Sequence, residues 1–221
     1  MEKIQYKISP NKHLNLLTES FEDVVKKIIQ SYTTNDLIKV LNIGGGYEKS
    51  IEKYLSSHSG IEYYCFDIDT SRLNLPNIIT GDITDPNLDI NHTFDFIFTK
   101  DTFEHILNPW DATQNIKNLL NEGGYFMCLA PFSWRYHACP IDTYRYTHTG
   151  LRYLFERLNH IEPIFSGYKK FGPANSWYKS KTDVTLNARP FQENVETVYV
   201  AKKNSSYIFD LKTLDIDNDK H

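Results

Sequence analysis

No stretch of the 221-residue sequence approaches the ~18 consecutive apolar residues of a membrane span. The opening residues, Met1-Glu-Lys-Ile-Gln-Tyr-Lys7, also lack the apolar centre of a signal peptide. Cysteine is scarce: Cys65, Cys128 and Cys139 show no CxxC spacing, so neither a disulfide framework nor a zinc site is indicated, and they read as small packing residues. An excess of positive charge is missing as well. With 24 Lys and Arg against 28 Asp and Glu the net charge is -4, which offers no overall attraction to nucleic acid or to an anionic membrane. There is no internal repeat and no low-complexity tract. These absences leave a cytoplasmic chain whose expected partners are small molecules.

What is present is ordinary for a globular protein, with 40% hydrophobic and 24% charged residues, and enough chain for one α/β domain with a substantial core. Over 17–29, Leu17, Phe21, Val24, Val25, Ile28 and Ile29 recur with helical spacing. A strand over 39–43 then breaks into Gly44, Gly45 and Gly46, and a helix with Ile51, Tyr54 and Leu55 on one face follows. Further strands read at 61–66, ending in Asp67-Ile-Asp69, at 78–80, running into Gly81-Asp82, at 94–99 and at 125–130. Pro76 leaves no room for a full helix in 71–77, whereas Ala112, Ile116, Leu119 and Leu120 mark a helix ending at Gly123-Gly124. After an aromatic, polar stretch at 132–146 come a helix carrying Leu151, Leu154, Phe155 and Leu158, a strand at 161–165, an unpatterned stretch at 172–194 and a last strand at 195–201.

Strands alternating with helices imply a doubly wound parallel sheet whose ligands sit at the strands' carboxyl ends. That places 42–47, 67–69, 82–83, 99–105 and the chain after Pro131 on one rim. The glycine turn alone also suits a nicotinamide-binding domain, but that fingerprint wants glycine where Lys49 stands.

From about 39 to 132 the sequence resembles the class I S-adenosylmethionine-dependent methyltransferases. The resemblance rests on Asn42, Gly44 and Gly46 after the first strand, Asp67 closing the second, Gly81-Asp82-Ile83 after the third, and 94–106 with Glu104-His105, leading to Leu120-Asn-Glu-Gly-Gly124. It implies a Rossmann-like, seven-stranded, mostly parallel sheet with helices on both faces. It implies one methyltransferase domain over 1–203, with 1–35 as a helical lid, 132–148 and 172–194 as acceptor-side loops, and 204–221 as a polar tail. The implied cofactor is S-adenosyl-L-methionine. Asn42, Gly44, Gly45 and Gly46 would meet its methionine end, Asp67 both ribose hydroxyls, Asp82 the adenine amino group and Ile83 the ring, with Ile68, Thr99 and Lys100 completing the rim. Two positions depart from the pattern: Asn42 stands for a carboxylate and Glu48 for the third glycine.

A hydroxyl acceptor needs its proton removed as well as its oxygen positioned. On a helical turn Asp101, Glu104 and His105, spaced i, i+3 and i+4, would share one side. Two carboxylates and an imidazole so placed would suit a divalent cation such as Mg or Mn. The turn looks like those of ubiquinone-pathway O-methyltransferases and small-RNA 2′-O-methyltransferases, and His137 stands where the latter add a histidine. The catalytic candidates are thus His105, His137 and Asp142, the metal candidates Asp101, Glu104, His105 and His137, and a metal-free reading has the Glu-His pair cap a helix and line the pocket. The segment from His137 to Thr147 looks like one in bacterial methyltransferases encoded with surface-glycan enzymes. There Tyr144 and Arg145 would contact the acceptor, Arg145 through a carboxylate or phosphate, or else they anchor the loop. The expectation is an O-methyltransferase for a small hydroxylated or phosphorylated acceptor, a sugar or nucleotide-linked sugar of a surface polysaccharide. The alternatives are methylation of a quinone-type phenol and a non-catalytic methyltransferase-like partner.

Overall fold

A computed structural model describes residues 17–32, 37–45, 49–71, 73–134, 136–137, 140–173 and 193–214. The glycine-turn residues Gly46 and Glu48, the thiol of Cys139, most of the 172–194 loop, the first part of the expected lid and the end of the tail lie outside them.

The elements run α1 (Phe21–Gln30), β1 (Ile38–Ile43), α2 (Lys49–Ser57), β2 (Ile61–Asp67), β3 (Ile78–Thr80), β4 (Phe94–Lys100), α3 (Pro109–Leu119), β5 (Leu120–Ser133), α4 (His148–Glu156), β6 (Ile161–Pro173) and β7 (Glu193–Lys203). Seven strands form one sheet in the order β3-β2-β1-β4-β5-β7-β6. The first five pair in parallel and β7 inserts antiparallel between β5 and β6. The seven-stranded, mostly parallel sheet expected from the sequence is present.

Local chemistry sets the ends of the helices. Ser20 caps α1 by accepting from Asp23 N–H, Asn108 caps α3 ahead of Pro109, and Thr147 caps α4 through Gly150 N–H. Helix α1 begins four residues later than the periodicity suggested, because Leu17 is drawn into pairing with Tyr168 (N···O 2.8 Å). Helix α3 stops at Leu119 rather than at the glycines, and β5 starts at once.

Each face of the sheet carries its own core. On one, α1 and α2 cover Val40, Phe96, Phe98, Met127, Val198 and Val200; on the other, α3 and α4 cover Leu41, Ile43, Ile97, Phe126, Cys128 and Tyr199. Phe98, fully buried beneath Phe21, illustrates the scale: its truncation to Ala should remove about 3–5 kcal/mol. Helix α1, for which the sequence left packing on the sheet and lidding the pocket both open, has all five of its apolar residues buried. The chain after β7 is fastened as far as 214: Tyr207 Oη donates to Glu156 Oε2 (2.9 Å) and Phe209 N–H to Asn159 Oδ1 (2.9 Å).

Candidate active site at the carboxyl rim of the sheet

Strand β1 ends in a turn that only glycine can make. Gly44 sits at φ +75°, and a Cβ there would lie 2.2 Å from the Thr102 hydroxyl. A Cβ on Gly45 would meet Cys65 Sγ at 2.5 Å and Asn42 Nδ2 at 2.6 Å. Asn42 itself is buried, and its amide donates to the Tyr63 hydroxyl (3.1 Å) beneath the turn. It therefore brings no charge to the rim.

Asp67 and Asp82 both stand on the rim, at the ends of β2 and β3. Each uses Oδ1 to fix its own loop: Asp67 accepts from Asp69 N–H (2.9 Å), and Asp82 from Thr84 N–H (2.8 Å) and the Thr84 hydroxyl (2.7 Å). Their loops are thereby preset, with the second oxygen of each carboxylate left to take a ligand hydroxyl or amino group. Ile68, 70% exposed, stands beside Asp67. Ile83, expected against the cofactor ring, is 6% exposed and packed into the α3/α4 core. Asn115 on α3 holds this loop by donating to the Ile83 and Asp85 carbonyls (both 2.8 Å). Thr99 is fully buried, whereas Lys100 reaches the α1/α2 side and places its ammonium 3.3 Å from Asp101.

The segment after β4 is not the helical turn expected. Asp101 takes φ +50°, which sharply redirects the chain, and only Phe103–His105 form a 3-10 turn. Asp101 is consequently separated from Glu104 and His105 and lies beside Lys100 and Glu196 instead. The group that does come together is Glu104, His105 and His137, with one donor atom from each within 4.8 Å of the others.

Its geometry is specific. His105 Nδ1 lies 2.5 Å from the Ile141 carbonyl, and His137 Nδ1 lies 3.1 Å from Asp142 Oδ2. Both partners are acceptors, so both Nδ1 atoms carry a proton, and both Nε2 atoms are turned toward Glu104. These Nε2 atoms face Glu104 Oε1 at 3.7 and 3.5 Å. Glu104 is fully buried, and among the described residues neither of its carboxylate oxygens has a hydrogen-bond partner. A carboxylate and two imidazole nitrogens thus converge, and a buried charge requires a counterpart, either a proton or a cation.

Asp142 is the brace of this cluster. It takes His137 backbone N–H (2.7 Å), His137 Nδ1, and both ends of the Arg145 guanidinium. Burial alone would raise its pKa, but the Arg145 hydrogen bonds and the His137 N–H outweigh that and hold it below the usual carboxylate value. Arg145 also donates to the Trp134 and Tyr144 carbonyls. Of the two readings offered for Arg145, these contacts favour the loop anchor. Tyr144 has the same character, its hydroxyl donating to the Leu107 carbonyl (3.2 Å) and its ring packed on Tyr146. The loop is further pinned to the cluster by Thr143 N–H donating to the Glu104 carbonyl (2.8 Å).

The residue that sequence reasoning missed is Glu196 on β7, 1% exposed and also without a donor for either oxygen. It was legible in part: Glu196, Val198 and Val200 alternate along one strand face, and the two valines belong to the apolar core.

Comparison with known proteins places this architecture. The family described as a methyltransferase domain matches residues 10–167. Among solved structures, the chain is similar to the O-methyltransferase from a trans-AT PKS multienzyme of Brevibacillus brevis, solved with S-adenosyl-L-homocysteine, at TM-score 0.60 and 15% identity over 85% of this chain and 76% of that one. It is similar to TehB from Haemophilus influenzae at TM-score 0.53 and 20% identity, covering 85% of this chain but only 63% of TehB. Likeness to the CurJ carbon methyltransferase, at TM-score 0.53 and 15% identity, covers 83% of this chain and 53% of that one. At these identities the structural matches speak for the fold. No curated protein matches the sequence.

Proposed function

The chain belongs to the methyltransferase-domain family, as an S-adenosylmethionine-dependent enzyme, and from that premise we propose that it methylates an oxygen of a small hydroxylated acceptor, a sugar or nucleotide-linked sugar of surface-polysaccharide synthesis. The observation that carries the oxygen as nucleophile is the pair of imidazole Nε2 atoms facing buried Glu104 at the rim. An sp3 hydroxyl is a poor nucleophile until a base takes its proton.

S-adenosylmethionine, when bound, supplies the electrophilic methyl. This chain's residues position it and handle the proton. The glycine turn, Asp67 and Asp82 fit such a cofactor: a turn that admits no Cβ, then two preset carboxylates on successive strand ends. His137 Nε2 takes the acceptor's proton. Asp142, 3.1 Å from Nδ1, orients the ring and stabilises the imidazolium that results, with Glu104 supporting it from the other side. His105, tied to the Ile141 carbonyl, orients the same proton path. Tyr136, 56% exposed and adjacent in sequence to His137, offers a ring face to a sugar. The phosphorylated alternative loses its support, because Arg145 is committed to Asp142. A quinone-type phenol would want an apolar wall where this rim is polar.

A second reading has its own observation. Two Nε2 atoms and one carboxylate oxygen, each imidazole anchored through its other nitrogen, form a ready donor set for a divalent cation, and a mixed N/O set suits Mn better than Mg. Glu104, His105 and His137 would hold the ion, and it would lower the pKa of a coordinated hydroxyl. Transfer of labelled methyl from the cofactor to a panel of sugars and nucleotide sugars, with and without a chelator, tests both. A labelled ether insensitive to chelation supports the base; loss of rate restored by Mn supports the cation; methyl found on nitrogen or carbon acceptors alone overturns the oxygen reading.

A further inference from the structure

On the opposite face of the sheet from Glu104 a cavity of about 320 Å³ opens at the rim, among Phe21, Ser50, Ile51, Lys100, Lys169 and Glu196. Three features mark it as a binding site for a small charged group. Its walls come from the first turn of α2, the helix the glycine turn leads into, and from the last residue of β4, so it is continuous with the cofactor rim. Its charges are mixed: Lys100 and Lys169 face it together with Glu196 and Glu22, and Asp101 stands beside Glu196. Glu196 is buried to 1% exposure, and among the described residues neither of its oxygens meets a donor. Burial and the neighbouring Asp101 keep a proton on it in the unliganded chain, so it becomes a carboxylate when a cation arrives to replace that proton.

We propose that this cavity receives the α-amino-acid end of the cofactor, with Glu196, supported by Asp101, facing its ammonium, and Lys100 and Lys169 facing its carboxylate. The inference rests on the cofactor reading above and adds residues to it. Both partners explain each other. A zwitterion brings the three ammonium donors that Glu196 lacks and the carboxylate that two lysines can share. Asn42, at the β1 position where the family carries an acid, cannot supply the negative charge, being neutral and tied to Tyr63. A carboxylate from β7 fills that role from across the rim.

Two probes separate the ends of the cofactor: S-adenosylhomocysteine, and 5′-methylthioadenosine, which has the same nucleoside without the amino acid. By calorimetry, Glu196→Gln and Lys169→Met should each weaken S-adenosylhomocysteine on the order of tenfold, the scale of one charge-assisted hydrogen bond, and leave 5′-methylthioadenosine within about twofold. Asp67→Ala should weaken both probes. Unchanged S-adenosylhomocysteine affinity in Glu196→Gln overturns the inference, and so does an equal loss for both probes, which would report damage to the fold. Binding of neither probe by the wild-type chain would sink the cofactor reading itself.

Discussion

Glu104 and Glu196 are two carboxylates in nearly the same predicament. Both are buried to 1% exposure or less, both stand at the carboxyl rim, and neither has a hydrogen-bond donor. They lie on opposite faces of the sheet and keep different company. Glu104 faces two imidazoles, groups that gain and lose protons near neutral pH. Glu196 faces two lysines whose charge is fixed across that range, and a second carboxylate. A buried carboxyl among titratable partners suits chemistry, whereas one whose proton a cation can replace suits holding a ligand that is always charged.

The largest expected effect breaks or sustains this division on the α3/α4 side. His137→Ala should lower kcat by about 10²–10⁴, the usual contribution of a general base, with S-adenosylhomocysteine affinity unchanged. A parallel loss of affinity, read by calorimetry, would merge the two sites into one. Next comes the brace. Arg145→Met releases Asp142, so kcat should fall about tenfold while the acceptor KM holds steady, because Arg145 positions His137 through Asp142 and touches no substrate. A rise in KM alone would return Arg145 to the acceptor.

The smallest effect is on stability and concerns the other carboxylate. Burial, with Asp101 beside it and Lys100 and Lys169 partly compensating, pushes Glu196 up to about 8 from the usual 4.5. The folded chain therefore keeps a proton that the unfolded chain releases. Stability contributed by this group is present below about pH 4.5, declines as pH rises, and is lost above about 8. Glu196→Gln should raise Tm by a few degrees at pH 9 and leave it unchanged at pH 4.5. An equal shift at both values, followed by circular dichroism, would show that Glu196 is not titrating in the fold.

Much of this was legible in the chain. The β1 glycine turn, the parallel strands and the aspartates closing β2 and β3 follow from hydrophobic runs that end in glycine or aspartate, and the fold keeps them. Glu104 and His105 were grouped with Asp101 from spacing and His137 was added from the resemblance, but the spacing argument assumed a regular helical turn. One residue with positive φ, Asp101, undid it, and nothing local in Lys100-Asp-Thr announces that conformation. Arg145 was left between two readings because its guanidinium chemistry is the same for a substrate phosphate and for Asp142 three residues earlier; only the fold shows that Asp142 is in reach. Glu196 escaped because its partners, Lys100 and Lys169, come from distant strands, and such long-range company leaves no mark on a local pattern.

The central claim is that the two buried carboxylates divide the work, and a crossed measurement tests it most directly: kcat and S-adenosylhomocysteine affinity, each in Glu104→Gln and in Glu196→Gln. The account predicts that Glu104→Gln lowers kcat at least tenfold with affinity within about twofold, while Glu196→Gln weakens affinity about tenfold and spares the rate at saturating cofactor. If Glu104→Gln weakens affinity, or Glu196→Gln lowers the saturated rate to the same degree, the two sites are one and the division is wrong.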